Sequence, residues 1–202
     1  MRRKLVILFL LTFVLSLFVY ALLVQTEQID LAGRLIRFHV VANSDSAADQ
    51  QQKLALRNGL LPEIQSLTAG CATRDEALTA LQRGLPRLQA AAEALLQEDG
   101  CADPVRLSLQ QEGFPRRDYP TFSLPAGRYE TLRAVIGSGS GHNWWCVAFP
   151  SLCLPATSED WTSAAAAAGF TEEQTDFLTG EGLDIQLKFR VLEWLQALLT
   201  VK

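Results

Sequence analysis

Apolar positions follow three different rhythms along this chain. The first is continuous. After Arg2, Arg3 and Lys4, residues 5–24 (LVILFLLTFVLSLFVYALLV) carry no charge. A helix of that length, rising about 1.5 Å per residue, covers about 30 Å and is able to cross a bilayer. The positive flank predicts a cytoplasmic N-terminus and export of the remainder of the chain. Val19-Tyr20-Ala21 also places small residues where signal peptidase prefers them. Residues 1–24 are therefore read as a signal peptide or transmembrane anchor and residues 25–33 as a polar linker. Residues 34–202 are read as a single extracytoplasmic domain.

The second rhythm is strand-like. Residues 34–42 (RLIRFHVVA) alternate and then turn continuously apolar, with β-branched and aromatic side chains, as a strand entering a core does. His39 lies inside it and reads as a hydrogen-bonded structural residue. Residues 104–111 alternate Val105, Leu107 and Leu109 against polar neighbours, and residues 128–136 (RYETLRAVI) form another strand-like run. These three segments are expected to share one small sheet, with residues 183–189 as a further candidate strand.

The third rhythm is helical. Asn43-Ser44-Asp45-Ser46 breaks the first strand, and Ser46 with Asp49 has the spacing of a capping box, so a helix is predicted from about residue 47. Leu56, Leu60, Ile64 and Leu67 give it an apolar stripe. Gly59 and Pro62 predict a kink or break near 58–61, because the proline ring clashes with the carbonyl of Asn58. Thr73 and Glu76 cap a second helix over about 74–98, striped by Leu78, Leu81, Leu85, Leu88, Ala92 and Leu95, with Gly84 and Pro86 inside it. If that helix is straight its ends lie about 39 Å apart. A disulfide needs Cα atoms about 4.4–6.8 Å apart, so Cys71 and Cys101 pair only if the helix folds back near 84–86. The fold class that results is α+β: a central sheet with helices packed on it, preceded by a hydrophobic helix. Residues 155–182, polar, alanine-rich and punctuated by glycine, read as a peripheral insertion.

Composition narrows the function. The 202 residues are 49% hydrophobic and 20% charged, with a net charge of −4 that becomes −7 without Arg2, Arg3 and Lys4. No basic stripe offers a nucleic-acid face. Cofactor and metal sites are not expected, since the two histidines stand far apart and no CxxC pair is present.

The candidate chemistry gathers in residues 137–153, GSGSGHNWWCVAFPSLC. Glycines 137, 139 and 141 lead into His142, Asn143, Trp144 and Trp145. Adjacent residues on a strand point to opposite faces, so one tryptophan is expected to face outward as a contact. A thiol-dependent hydrolase is one reading, with Cys146 as nucleophile and His142 or His39 as base. The alternative is a disulfide between Cys146 and Cys153, the default outside the cytoplasm, which leaves no catalytic residue and a stapled aromatic corner. The partner-facing candidates are then His142, Asn143, Trp144 and Trp145, with Asn43 and Asp45 of the polar corner, although Asn43-Ser44-Asp45-Ser46 also reads as a plain helix cap.

The segment FPRRDYPTFSLPAGRYETLRAVIGSGSGHNWWCVAFPSLC, with the upstream RFHVVANSDSAADQQQKLALRN, resembles the stage II sporulation protein R family of endospore-forming bacteria. The likeness covers about residues 34–153 and departs from the family pattern at Ser151, where a second proline is typical. It implies a sporulation signalling protein and not an enzyme. Such a protein is exported from the forespore into the space between the two cells, secreted or held by its N-terminal segment in the membrane. There it activates a membrane-embedded aspartic protease, which processes the sigma-E precursor in the mother cell.

Overall fold

The computed structural model describes residues 2–119 and 122–151, together with Phe170, Thr175, Leu178 and Thr179. The apolar run and the polar stretch after it form one helix, α1 (Arg2–Arg34). Its segment Arg2–Tyr20 is long and apolar enough to cross a membrane and is not buried against the rest of the protein. Only Leu35 separates α1 from β1 (Ile36–Val41).

The chain continues through helices α2 (Ala47–Thr68) and α3 (Arg74–Glu98) and strand β2 (Val105–Phe114). A short ribbon, β3 (Arg117–Asp118) with β4 (Ser123–Leu124), precedes β5 (Gly127–Ile136) and β6 (Asn143–Phe149). The main sheet has four strands in the order β2-β5-β1-β6. β1 runs parallel to β5 and antiparallel to β6, and β2 runs antiparallel to β5. The three expected strands do share one sheet. Its fourth described strand is the aromatic stretch itself; residues 183–189 and most of 155–182 lie outside the described residues.

Every residue of β1 is buried, because both faces of the sheet are covered there. Phe38 and Val40 face α2 and α3, meeting Leu56, Leu60, Ile64, Leu81, Leu88 and their neighbours in the main core. The other face carries a smaller cluster around Leu35, Phe114, Phe122, Leu124, Tyr129 and Val147, joined by Phe170 and Leu178.

Of the kink or break expected near 58–61 there is no break, since α2 runs through Pro62 as one helix, and α3 runs unbroken through Pro86. Both prolines lie on solvent-exposed faces, as do Asn58 and Gln82 four residues before each. The carbonyls that lose an intrahelical donor can then bond water, which makes the interruption tolerable. The two glycines are packing devices. A Cβ at Gly59 would meet Leu95 at 2.5 Å and one at Gly84 would meet Leu67 at 2.5 Å, so each helix receives a leucine of the other. Because α3 does not fold back, Cys71 and Cys101 stay apart, and both are free thiols.

Candidate functional site

Two polar segments meet where β1 ends. The Asn43 side-chain oxygen accepts the Ser138 N–H at 2.9 Å, and its main-chain oxygen accepts the Ser140 N–H at 3.1 Å. The hydroxyls of Ser138 and Ser140 each donate to that same main-chain oxygen at 2.9 Å. Gly141 N–H donates to the Ala42 carbonyl at 3.0 Å. The approach leaves no space for side chains. Gly137 has φ of +55°, and a Cβ there would lie 2.3 Å from the Asn43 oxygen; one on Gly141 would lie 2.2 Å from the Ser44 carbonyl oxygen. Glycine is thus required by backbone conformation at one position and by close approach at the other.

The helix cap is part of the same corner. Ser46 caps α2 by accepting from the Asp49 N–H at 3.1 Å, while the Asp49 carboxylate accepts from Ser44 Oγ at 2.5 Å. Asp45 turns the other way. It accepts the His142 N–H at 2.6 Å and lies 2.5 Å from His142 Nδ1. That backbone N–H, supported by the imidazole, holds the Asp45 carboxyl below the usual carboxylate range. The buried Lys53 closes the corner from below, donating to the His142 carbonyl at 3.0 Å and to Gln50 Oε1 at 2.5 Å. Burial lowers the Lys53 pKa from its ordinary value. Asn43, Asp45 and His142 are therefore one assembly, and the helix cap and the candidate contact surface coincide.

The two tryptophans diverge to opposite faces, as strand alternation requires. Trp144 meets Phe38 edge-on at 6.1 Å on the helix side and carries the Arg57 guanidinium at 4.8 Å. Trp145 packs against His39 at 5.7 Å and Phe114 at 5.9 Å on the other side, beneath Arg117 at 5.1 Å. Each is half-buried under an arginine, so neither ring projects freely into water, as one of them was expected to do.

Cys146 is buried on the helix side opposite Phe38 and is disulfide-bonded, while Cys153 lies outside the described residues. His39 lies on the other face, opposite Trp145. The sheet therefore stands between Cys146 and His39. His142 is tied to Asp45 and precedes Cys146 by four extended residues, about 13 Å. Neither imidazole meets the cysteine as a general base would have to. Among the described residues no group of three or more His, Cys, Asp or Glu is placed to hold a metal ion.

His39 is hydrogen-bonded, as expected, but its partners and the part played by Arg37 escaped the sequence reading. His39 Nδ1 lies 2.7 Å from Glu112 Oε2, and its Nε2 lies 2.9 Å from Asn143 Oδ1. The other Glu112 oxygen accepts from Gln110 at 2.6 Å and pairs with Arg133 at 3.3 Å. Arg37 is fully buried. It donates to the Cys146 carbonyl at 3.1 Å and to the Tyr119 hydroxyl at 2.9 Å, with Phe114 at 4.5 Å and Tyr129 at 5.3 Å around its guanidinium. Desolvation lowers its pKa from the ordinary value and raises those of Tyr119 and Tyr129, the latter to about 12. The available signal was a charge in the middle of an otherwise apolar strand. Glu112 gave none, being one polar residue among several on a half-exposed strand.

The sequence profile of stage II sporulation protein R (spore_II_R) matches residues 32–159. The chain belongs to the stage II sporulation protein R family. Stage II sporulation protein R of Bacillus subtilis (strain 168) is 32% identical over 130 residues, which cover 64% of this chain and 58% of that relative. The match thus spans under two thirds of the relative's length. No solved structure matches. The family segment begins at the last turn of α1 and contains the whole of the corner, both tryptophans, Arg37, His39 and Glu112.

Proposed function

We propose that this family member is an exported sporulation signal. It activates a membrane-embedded aspartic protease, so that the sigma-E precursor is processed in the mother cell. The observation that carries this reading is the fused corner of Asn43, Asp45, Ser138, Ser140 and His142, a rigid polar surface in a chain that begins with a membrane-length apolar helix. A preorganised surface loses little conformational entropy on binding, which suits a protein whose work is recognition. The proposed setting is the space between forespore and mother cell, a reading that family membership and the apolar N-terminal helix support. A Cys146–Cys153 bridge would fix the far end of β6 and is part of the proposal.

The test is reconstitution: this chain, the protease and the precursor expressed together, with processing scored on a gel. Processing is expected with the full chain, to fall with His142→Ala, whose side chain is 77% exposed and outside the core, and to stop when residues 2–24 are removed. Processing that proceeds equally without this chain would refute the reading.

A further inference from the structure

Asn143 is exposed at the start of β6, yet its side-chain oxygen is tied inward to His39. We propose that Asn143 is a recognition residue of the activating surface, and that the part-buried Glu112–His39 pair sets which end of its amide faces the partner. The part concerning the partner rests on the proposed function; the part concerning the amide does not.

The argument starts at Glu112. Its carboxylate is engaged at both oxygens, by His39 and by Gln110 with Arg133, and an ionised carboxylate only accepts. Nδ1 of His39 must therefore carry a proton. That leaves Nε2 as the variable atom. It lies 2.9 Å from the Asn143 amide oxygen, the contact that Nε2 makes while it carries a proton. The Asn143 NH2 then points outward and offers donors to an oxygen acceptor on the partner, a main-chain carbonyl or a carboxylate. When Nε2 gives up its proton it becomes an acceptor. The Asn143 amide keeps the bond only by turning half a revolution, which brings its NH2 inward and its oxygen outward. One proton thus exchanges a donor surface for an acceptor surface.

The setting favours a clean exchange. His39 is 7% exposed, with Phe114 and Trp145 against its ring, so water is a poor substitute for the amide. The charged groups facing it are Glu112 from β2 and Arg133, its register partner on β5. Arg117 stacks on Trp145, and Arg37 turns away into its aromatic cage.

The first measurement needs no partner. The full chain in detergent micelles, labelled with 15N at its two histidines and three asparagines, is titrated with pH, with His39→Gln and Asn143→Ala assigning the signals. The His39 Nε2 signal should move from a protonated to an unprotonated position while Nδ1 stays protonated. The Asn143 NH2 signals should shift at the same midpoint. Loss of the proton from Nδ1, or Asn143 signals that ignore that midpoint, would overturn the device. The second measurement is the processing assay. Asn143→Asp presents oxygen in every orientation and should cut processing roughly tenfold or more, as one hydrogen bond replaced by facing acceptors does. His39→Gln should make processing independent of the pH window found by titration. Full activity of Asn143→Asp overturns the recognition role. Absence of processing with the unaltered chain refutes the proposed function instead and leaves the NMR result standing.

Discussion

Replacing Gly141 with alanine tests whether the corner is one assembly. The added methyl would sit 2.2 Å from the Ser44 carbonyl oxygen, 2.6 Å from its carbon and 2.9 Å from Ala42 Cβ. The first two are backbone atoms, so no side chain can swing aside. The methyl lies roughly 1.3 Å inside an ordinary contact, and the two segments must part by about that much. Overpacking of this kind costs about 1–3 kcal/mol. Parting the segments also stretches the bonds from Gly141 to Ala42, from Ser140 to Asn43 and from His142 to Asp45. Each contributes about 0.5–1.5 kcal/mol, with water recovering part of it at this exposed edge. The sum is roughly 2–5 kcal/mol, or a fall in Tm of roughly 4–20 °C for a domain of this size.

The assay is thermal unfolding of the full chain in micelles, monitored by far-UV circular dichroism. Gly113→Ala is the control, because a Cβ there meets nothing within 4 Å. That variant should match the original or gain up to about 1 kcal/mol from a stiffer unfolded chain. A Gly141→Ala protein that melts with the control would show that the segments are not held at this distance, and the corner would lose its standing as a rigid surface.

Two further predictions concern the face away from the helices. Arg37→Ala removes a fully buried side chain and strips the Cys146 carbonyl of its donor, and should cost about 3–5 kcal/mol. Arg37→Met keeps most of the stem and relieves a desolvated charge, and should cost about 0–2 kcal/mol; equal losses by chemical denaturation would show that the charge, and not the packing, holds the cage. Tyr129, which donates to the Pro125 carbonyl at 2.7 Å, has its pKa raised by burial to about 12. The folded protein then keeps a proton that the unfolded chain releases above pH 10. This contribution is intact below pH 10 and lost between pH 10 and about 12, roughly 2–3 kcal/mol in all. Tyr129→Phe should flatten that part of the stability profile, and an unchanged profile would refute the assignment.

Much of the sheet was legible because its strands announce themselves by alternation. β1, β2 and β5 fell within a few residues of their expected bounds, and Ser46 and Thr73 cap the helices as their spacing predicted. Pro62 misled because proline's cost depends on where the freed carbonyl points, and a single helix does not say which face is wet. Gly59 misled for a related reason: like Gly84 it serves a leucine on the other helix, which is tertiary information. In the site, residue types near residue 142 were visible, but the partnerships of Asp45 with His142 and Glu112 with His39 join positions 97 and 73 residues apart. Nothing local encodes them.

The leader's two readings, signal peptide and anchor, have little bearing on the corner itself. The bonds that define it run among residues 42–53 and 137–143, and none reaches α1. α1 joins the sheet at Ile36, whereas the corner begins after Val41, at the other end of the same strand. At about 3.3 Å per residue that strand sets them roughly 20 Å apart. Cleavage would change how far the protein travels and not the surface it carries. Retention would hold the junction end at one membrane and leave the corner at the opposite end of the sheet. In either case the proposed contact surface is built from residues of the family segment, and the apolar helix would govern only where that surface is delivered.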